Sequence, residues 1–248
     1  MATRIATNPA PRALYLYGIS APSSERVNVR GGGIDGISPV ESLEASGLYC
    51  WISRVEKHEY ADQLARNMEN LDWLASTSVR HQRVVAEIAA QITILPTRFG
   101  TVFLSEQSLR AHVTEHKQAL LKTLKKIEGT EEWGVKLFSI AATPAQIPSV
   151  SSGSDYLRAK AAKLQPPGRK ELDAEVKEFV RELQGVTEDS AVSGKVSSGQ
   201  RNLEWQASFL VRKNRKKEWD AILRKYATAW QERREIECTG PWPPYSFI

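Results

Sequence analysis

The chain has 248 residues, 41% hydrophobic and 25% charged, with a formal net charge of +5. That is ordinary globular composition, with enough length for one large or two modest domains and a core that needs no disulfide or metal. The +1 charge of residues 1–139 and +4 of the remainder make a mild basic excess, weaker than nucleic-acid binders usually show, and two distant cysteines, Cys50 and Cys238, exclude a disulfide scaffold or a paired-cysteine zinc site.

No apolar run opens the chain as a signal peptide would, and none is long enough to span a bilayer. Residues 13–19 (ALYLYGI) read as a buried strand. Residues 20–47 hold Gly31, Gly32, Gly33 and Gly36 and read as a loop or hairpin region. Residues 48–54 (LYCWISR) predict a second strand. Leu71, Leu74, Ser78, His81, Val85 and Ile88 recur every three or four positions, so they line one helix face. Pro96 ends the short apolar run that follows, and Phe99, Val102 and Phe103 flank Gly100 in a tight segment. Ser105 suits the N-cap of a long helix carrying Leu109, Val113, Leu120, Leu124 and Ile127, which Gly129 stops. Trp133 to Ile140 reads as a strand closing the first domain.

Residues 141–154, rich in Ser, Pro and Gly, read as a linker. Tyr156, Leu157, Ala161 and Leu164 predict a helix that Pro166, Pro167 and Gly168 interrupt. Leu172, Val176, Phe179, Val180 and Leu183 resume the stripe until Gly185. Residues 186–200 read as turn-rich with two short β-like pieces. Leu203, Trp205, Ala207, Phe209 and Val211 alternate with polar residues, the period of a half-buried strand. Trp219 to Trp230 read as a helix, and Ile236 and Cys238 as a last strand. The expected fold class is α+β. Residues 1–139 form an N-terminal mixed sheet with long helices, residues 140–239 a ferredoxin-like α/β sandwich, and residues 240–248 an extended tail that docks back on the body. Trp242 and Tyr245 are its natural anchors, since each pairs a large apolar ring with one polar handle.

Four patterns invite a chemical reading. His112-Val-Thr-Glu-His116 matches the H-x-x-E-H of inverted zincins, making a metallohydrolase of His112, Glu115 and His116 one alternative. No further ligand can be placed, so an ordinary amphipathic helix is the expectation. Gly31-x-Gly33-x-x-Gly36 fits GxGxxG, but no helix opens after it, as a dinucleotide site requires. His81 lies on an apolar stripe and reads as a core histidine with satisfied partners. Arg212, Lys213, Arg215, Lys216 and Lys217 follow a strand bearing Trp205 and Phe209. That arrangement could serve a single-stranded RNA binder, the second alternative, though period-two alternation turns both aromatics inward. GxSxG and Walker A patterns do not occur. The residues therefore support no enzyme, with no catalytic, cofactor-binding or metal residue assigned.

Five segments in order carry a resemblance. They are Tyr15-Leu-Tyr-Gly-Ile19, Leu95-Pro-Thr-Arg-Phe-Gly-Thr-Val-Phe103, Glu132-Trp-Gly-Val-Lys-Leu-Phe138, Gly153-Ser-Asp-Tyr-Leu157 and the tail Gly240-Pro-Trp-Pro-Pro-Tyr-Ser-Phe247. Together they resemble the gas vesicle F/L family, on the side of an F-type member of a cyanobacterium-like system. The resemblance implies a non-enzymatic accessory or minor structural protein of a gas vesicle, a cytoplasmic organelle that gives buoyancy. Its implied partners are the main shell protein and other accessory proteins. No cofactor, nucleic acid, lipid membrane or small-molecule substrate is implied. Pro96, Arg98, Phe99 and Gly100 are expected to make a rigid turn in which Arg98 pairs with carbonyls or a carboxylate and Phe99 packs.

Overall fold

A computed structural model describes residues 11–22, 26–140, 173–192 and 202–248. The expected linker, the helix begun at Tyr156, its Pro166–Gly168 break and Leu172 lie outside the described residues, as does most of the stretch after Val192. The chain divides into two compact units. The first is residues 1–132 with 241–248, and the second is residues 133–240.

In the first unit, β1 (Arg12–Ser20), β2 (Glu41–Ala45) and β3 (Leu48–Glu56) precede a π turn at His58–Asp62 and the short α1 (Leu64–Met68). The long α2 (Leu71–Ala89), short strands β4 (Leu95–Pro96) and β5 (Val102–Phe103), and α3 (Glu106–Ile127) follow. The sheet order is β2-β3-β1-β4, with β5 also on β1. Each of these pairings is antiparallel, so the sheet is not the mixed one expected. Strands β4 and β5 each run back against the central β1 for two residues. Strand β2 falls inside the segment read as a loop or hairpin region and forms a hairpin with β3. Its sequence, ESLEA, has weak strand propensity, but Ser46 and Gly47 at φ 52° and 79° make the two-residue turn that folds it onto β3.

β1 is buried along almost its whole length. Ala13, Tyr15 and Tyr17 face a core built with Val84, Val85 and Ile88 of α2. Leu14 and Leu16 alternate to the other face, and α3 also contacts β1. A register shift between Leu16 and Gly18 marks a close approach: a Cβ on Gly18 would meet Ile94 and the Leu95 carbonyl at 2.6–2.7 Å. Asn70 caps α2, and Ser105 caps α3 in a reciprocal box with Ser108.

β6 (Thr130–Ser139) corrects one expectation. It pairs in the second sheet, of order β7-β8-β6-β9. Val135 and Leu137 join the second core, with Trp133 packed against it. That alternation moves the boundary from residue 139 to residue 132. The remaining elements are α4 (Ala174–Gly185), β7 (Asp189–Val192), β8 (Leu203–Arg212), α5 (Lys216–Trp230) and β9 (Arg234–Trp242). Among the described residues the second unit runs strand, helix, two strands, helix, strand, which is the ferredoxin-like order. Phe179, Trp205, Phe209, Trp219, Tyr226 and Trp230 fill this core.

Candidate functional site

The Leu95–Phe103 segment folds onto β1 by backbone bonds. Pro96 is buried opposite Gly18. Thr97 donates its N–H to the Tyr17 carbonyl at 2.9 Å and its hydroxyl to the Leu16 carbonyl at 2.6 Å. Residues 98–101 make a β-turn, closed by the Thr101 N–H on the Arg98 carbonyl at 3.2 Å. Gly100 takes the third position at φ +83°, a conformation that favours glycine. Its N–H donates to the Tyr15 phenol at 3.0 Å.

Beneath the turn lies an aromatic cluster. Phe99 meets Tyr15, Trp73 and His81 edge-on, with centroids 6.4, 6.3 and 5.8 Å away. His81 is 2% exposed. Its Nδ1 lies 2.9 Å from the Tyr15 phenol, and its Nε2 3.3 Å from that of Tyr245. Burial holds the imidazole down to about 4, against a backbone hydrogen bond at Thr97. Burial also pushes the Tyr15 and Tyr245 phenols above their ordinary range. All three groups are therefore neutral at pH 7. A neutral imidazole has one donor and one acceptor nitrogen. Tyr15 already accepts from Gly100, so its proton is assigned to Nδ1, leaving Nε2–H for Tyr245. Nothing in this chain of bonds is poised for proton transfer to a substrate.

The structure brings Phe99, Gly100 and Tyr245 together around Tyr15 and His81, while Pro96 pairs with Gly18 on the same strand as Tyr15. Trp242, at the end of β9, is 52% exposed. Arg98 departs from expectation. Its side chain is exposed and takes no hydrogen bond or salt bridge among the described residues. Backbone groups and the Tyr15 phenol hold the turn without the guanidinium. Apolar side chains border this surface: a Cβ on Gly100 would sit 3.6 Å from Leu64 Cδ2 and 3.9 Å from Met68 Sδ. Met68 is 40% exposed and Leu71 78%. Sequence reading missed His81 as the hub, because its partners come from β1 and from 164 residues downstream.

The other patterns resolve structurally. Gly31 to Gly36 form a packed loop. A Cβ on Gly32 would meet the Gly36 carbonyl at 2.2 Å, and Arg83 donates to the Arg30 and Gly32 carbonyls. No helix opens there to bind phosphate. Trp205 and Phe209 are buried in the second core. Arg212 grips Glu188 through two bonds of 2.6 and 2.9 Å, Arg215 pairs with Glu218, and Lys216 with Asp220. The RNA alternative thus loses its stacking platform and most of its free charge. An open depression between α4 and α5 is lined by Glu175, Glu178, Tyr226 and Arg233, but Glu175 is already paired with Arg233 and Arg234. Among the described residues no group of three or more His, Cys, Asp or Glu is placed to hold a metal, so His112, Glu115 and His116 do not form a zincin site. No helix is long and apolar enough to cross a membrane among them either.

Gas vesicle protein L of a Streptomyces strain is 26% identical over 95% of this chain and 92% of its own length. Gas vesicle protein F1 of Halobacterium salinarum is 23% identical over the same shares. The crystal structure of the gas vesicle protein GvpF from Anabaena superimposes with a TM-score of 0.68 at 19% identity, covering 95% of each chain. That of GvpF from Microcystis aeruginosa gives 0.63 at 20% identity, covering 95% of this chain and 98% of its own. The relatives carry both the F and the L names. Matching the model of the gas vesicle synthesis protein GvpL/GvpF family over residues 13–248, the chain belongs to that family and takes part in gas vesicle formation.

Proposed function

We propose that this protein is a non-enzymatic assembly factor that binds the main gas vesicle shell protein, and through it works with other accessory proteins. The Arg98 turn is the contact. One observation carries this reading: a turn fixed from below by Tyr15, Gly100 and Phe99 presents an exposed guanidinium with no partner among the described residues. A cation held on a rigid turn loses little freedom on pairing, and arginine suits carboxylates and backbone carbonyls. Met68, whose sulfur borders Gly100 of the turn, and Leu71, three residues further along the chain, are both exposed and add apolar area that a shell subunit's apolar surface can cover before assembly. Charge steers the encounter and burial holds it.

The test is capture of the purified main shell protein by this chain. The wild type should retain it. Arg98→Glu should weaken retention about tenfold or more, the effect of reversing a charge in a contact. Met68→Ser with Leu71→Ser should weaken it further at high salt, where charge is screened. No capture by the wild type, or equal capture by Arg98→Glu, would overturn the proposal.

A further inference from the structure

His112 and His116 lie one turn apart on the exposed face of α3. Their ring centroids are 4.3 Å apart. Two contacts orient them. The His112 ring leans on Phe103, with centroids 5.4 Å apart. Nδ1 of His116 lies 2.9 Å from the His112 backbone carbonyl. A carbonyl can only accept, so this Nδ1 carries a proton, and in the neutral ring the lone pair is then on Nε2. Proteins fix metal-ligating imidazoles in the same way, by tying the distal N–H to a carbonyl or carboxylate. The His112 nitrogens and Nε2 of His116 take no protein partner among the described residues.

From this we infer that His112 and His116 form a two-point surface chelate for a divalent transition cation, of the zinc and nickel class that imidazole suits. The spacing places two ligating nitrogens on one helix face, as in helical zinc motifs. Glu115 is not grouped with the pair, since no three-donor cluster exists among the described residues. Water completes the coordination. The site is therefore a surface binding site. A catalytic zinc centre holds its metal with three protein ligands. This inference is independent of the Arg98 surface, which uses other residues.

The experiment is calorimetric titration of untagged full-length protein with zinc chloride, and separately with nickel chloride. Four histidines are present, so His58 and His81 serve as internal references. His58 is exposed and His81 buried. One saturable site is expected in the wild type. His112→Ala and His116→Ala should each weaken it about 100-fold, because loss of one arm removes the intramolecular advantage of the second. His58→Ala should bind as the wild type does. Both positions of the pair are exposed, and circular dichroism will check that each variant is folded. Copper(II) loading adds a second readout: the electron paramagnetic spectrum should show two nitrogen donors in the wild type and one in either single variant. Zinc binding by the His112→Ala, His116→Ala double variant equal to the wild type would overturn the assignment. So would loss of binding in His58→Ala, or no saturable binding at all.

Discussion

The phenol of Tyr245 lies 3.3 Å from Nε2 of His81, 164 residues earlier in the chain. The same imidazole meets the Tyr15 phenol 2.9 Å from Nδ1, and that phenol accepts the Gly100 N–H. One buried ring therefore joins the last residues of the chain, the first strand and the Arg98 turn. Beside it, Glu132 is only 6% exposed. It accepts the Ser246 N–H at 2.9 Å and the Ser246 hydroxyl at 2.6 Å. Phe247 is buried next to these bonds, 5.7 Å from the Lys126 ammonium.

Removing residues 243–248 should accordingly destabilise the first unit. It strips Glu132 and His81 of partners and exposes the apolar surface under Phe247. A buried carboxylate left without donors costs about 1–3 kcal/mol, and a lost aromatic contact a similar amount. A fall in Tm of about 5–10 °C is expected for a chain of this size. Tyr245→Phe should cost about 1 kcal/mol, since the ring stays and one hydrogen bond goes. Calorimetry of both variants measures this. A truncated chain that melts with the wild type would show that the tail is ornamental.

Periodicity made the helices legible. The stripe from Leu71 to Ile88 and the Ser105 cap predict α2 and α3 closely, because helix faces and caps are local. The Trp205 to Val211 alternation likewise shows β8 and its inward aromatics. Two things were not local. Strand β6 looks the same from sequence whichever sheet it joins, since alternation names a buried face but not its partner. The Arg98 turn is visible as Pro-x-Arg-Phe-Gly, yet among the described residues its side chain takes none of the expected partners. Glycine at φ +83°, the Thr101 bonds to the Arg98 carbonyl and the Tyr15 phenol close the turn without the Arg98 side chain, and no spacing rule reports on a bond to a residue 85 positions away.

Gly33 tests the packing of the glycine loop. Its N–H donates to the Ser38 carbonyl at 2.7 Å. A Cβ there would lie 2.1 Å from Ser53 Oγ and 2.5 Å from the Tyr17 phenol. Both atoms are committed: Tyr17 donates to Ser53 at 3.0 Å and accepts the Ile34 N–H at 2.7 Å. Gly33→Ala should cost about 2–3 kcal/mol by overpacking. At the end of α4, Gly185 has nothing within 4 Å of such a Cβ. Gly185→Ala should be neutral or stabilising by about 0.5 kcal/mol. Urea denaturation of the two variants separates steric from conformational effects. Equal stabilities would refute the packed-loop account.

His81 predicts a dependence on pH. Its ordinary value is 6.5, and burial lowers it to about 4 in the folded chain. The folded state thus binds this proton less readily than the unfolded state. Stability from the neutral ring is complete above about pH 6.5 and is lost as pH falls toward about 4. Between these limits the loss is on the order of 3 kcal/mol. His81→Gln cannot take up the proton and should flatten the stability curve between pH 6.5 and 4.5, while lowering stability at pH 7. A variant curve parallel to the wild type across that window would assign the acid sensitivity elsewhere.

Arg234 governs the second unit. Its side chain is 12% exposed and reaches three carboxylates. Nε lies 2.9 Å from Glu204, Nη1 is 3.2 Å from Glu175, and Nη2 bonds Asp173. Its guanidinium carbon stands 5.2 Å from the Trp230 ring centroid. Asp173 also caps α4 by accepting the Val176 N–H at 2.9 Å. That cap is the main cause holding its carboxyl below the usual range, and Arg234 adds to it. Arg234→Ala would leave Asp173 and Glu204 without this partner, with Glu175 held by Arg233 alone, and open the space over Trp230. The carboxylates are partly solvated, so the cost falls below that of a fully buried pair, at about 2 kcal/mol. Arg234→Lys should recover less than half of it, because an ammonium cannot reach three acceptors in the plane of a fork. Replacing Asp173 by Asn in the Arg234→Ala background should restore some stability: it removes one repelling charge and keeps an acceptor for the Val176 N–H. If Asp173→Asn instead costs the same in both backgrounds, Arg234 and Asp173 are not coupled and the network does not act as a unit.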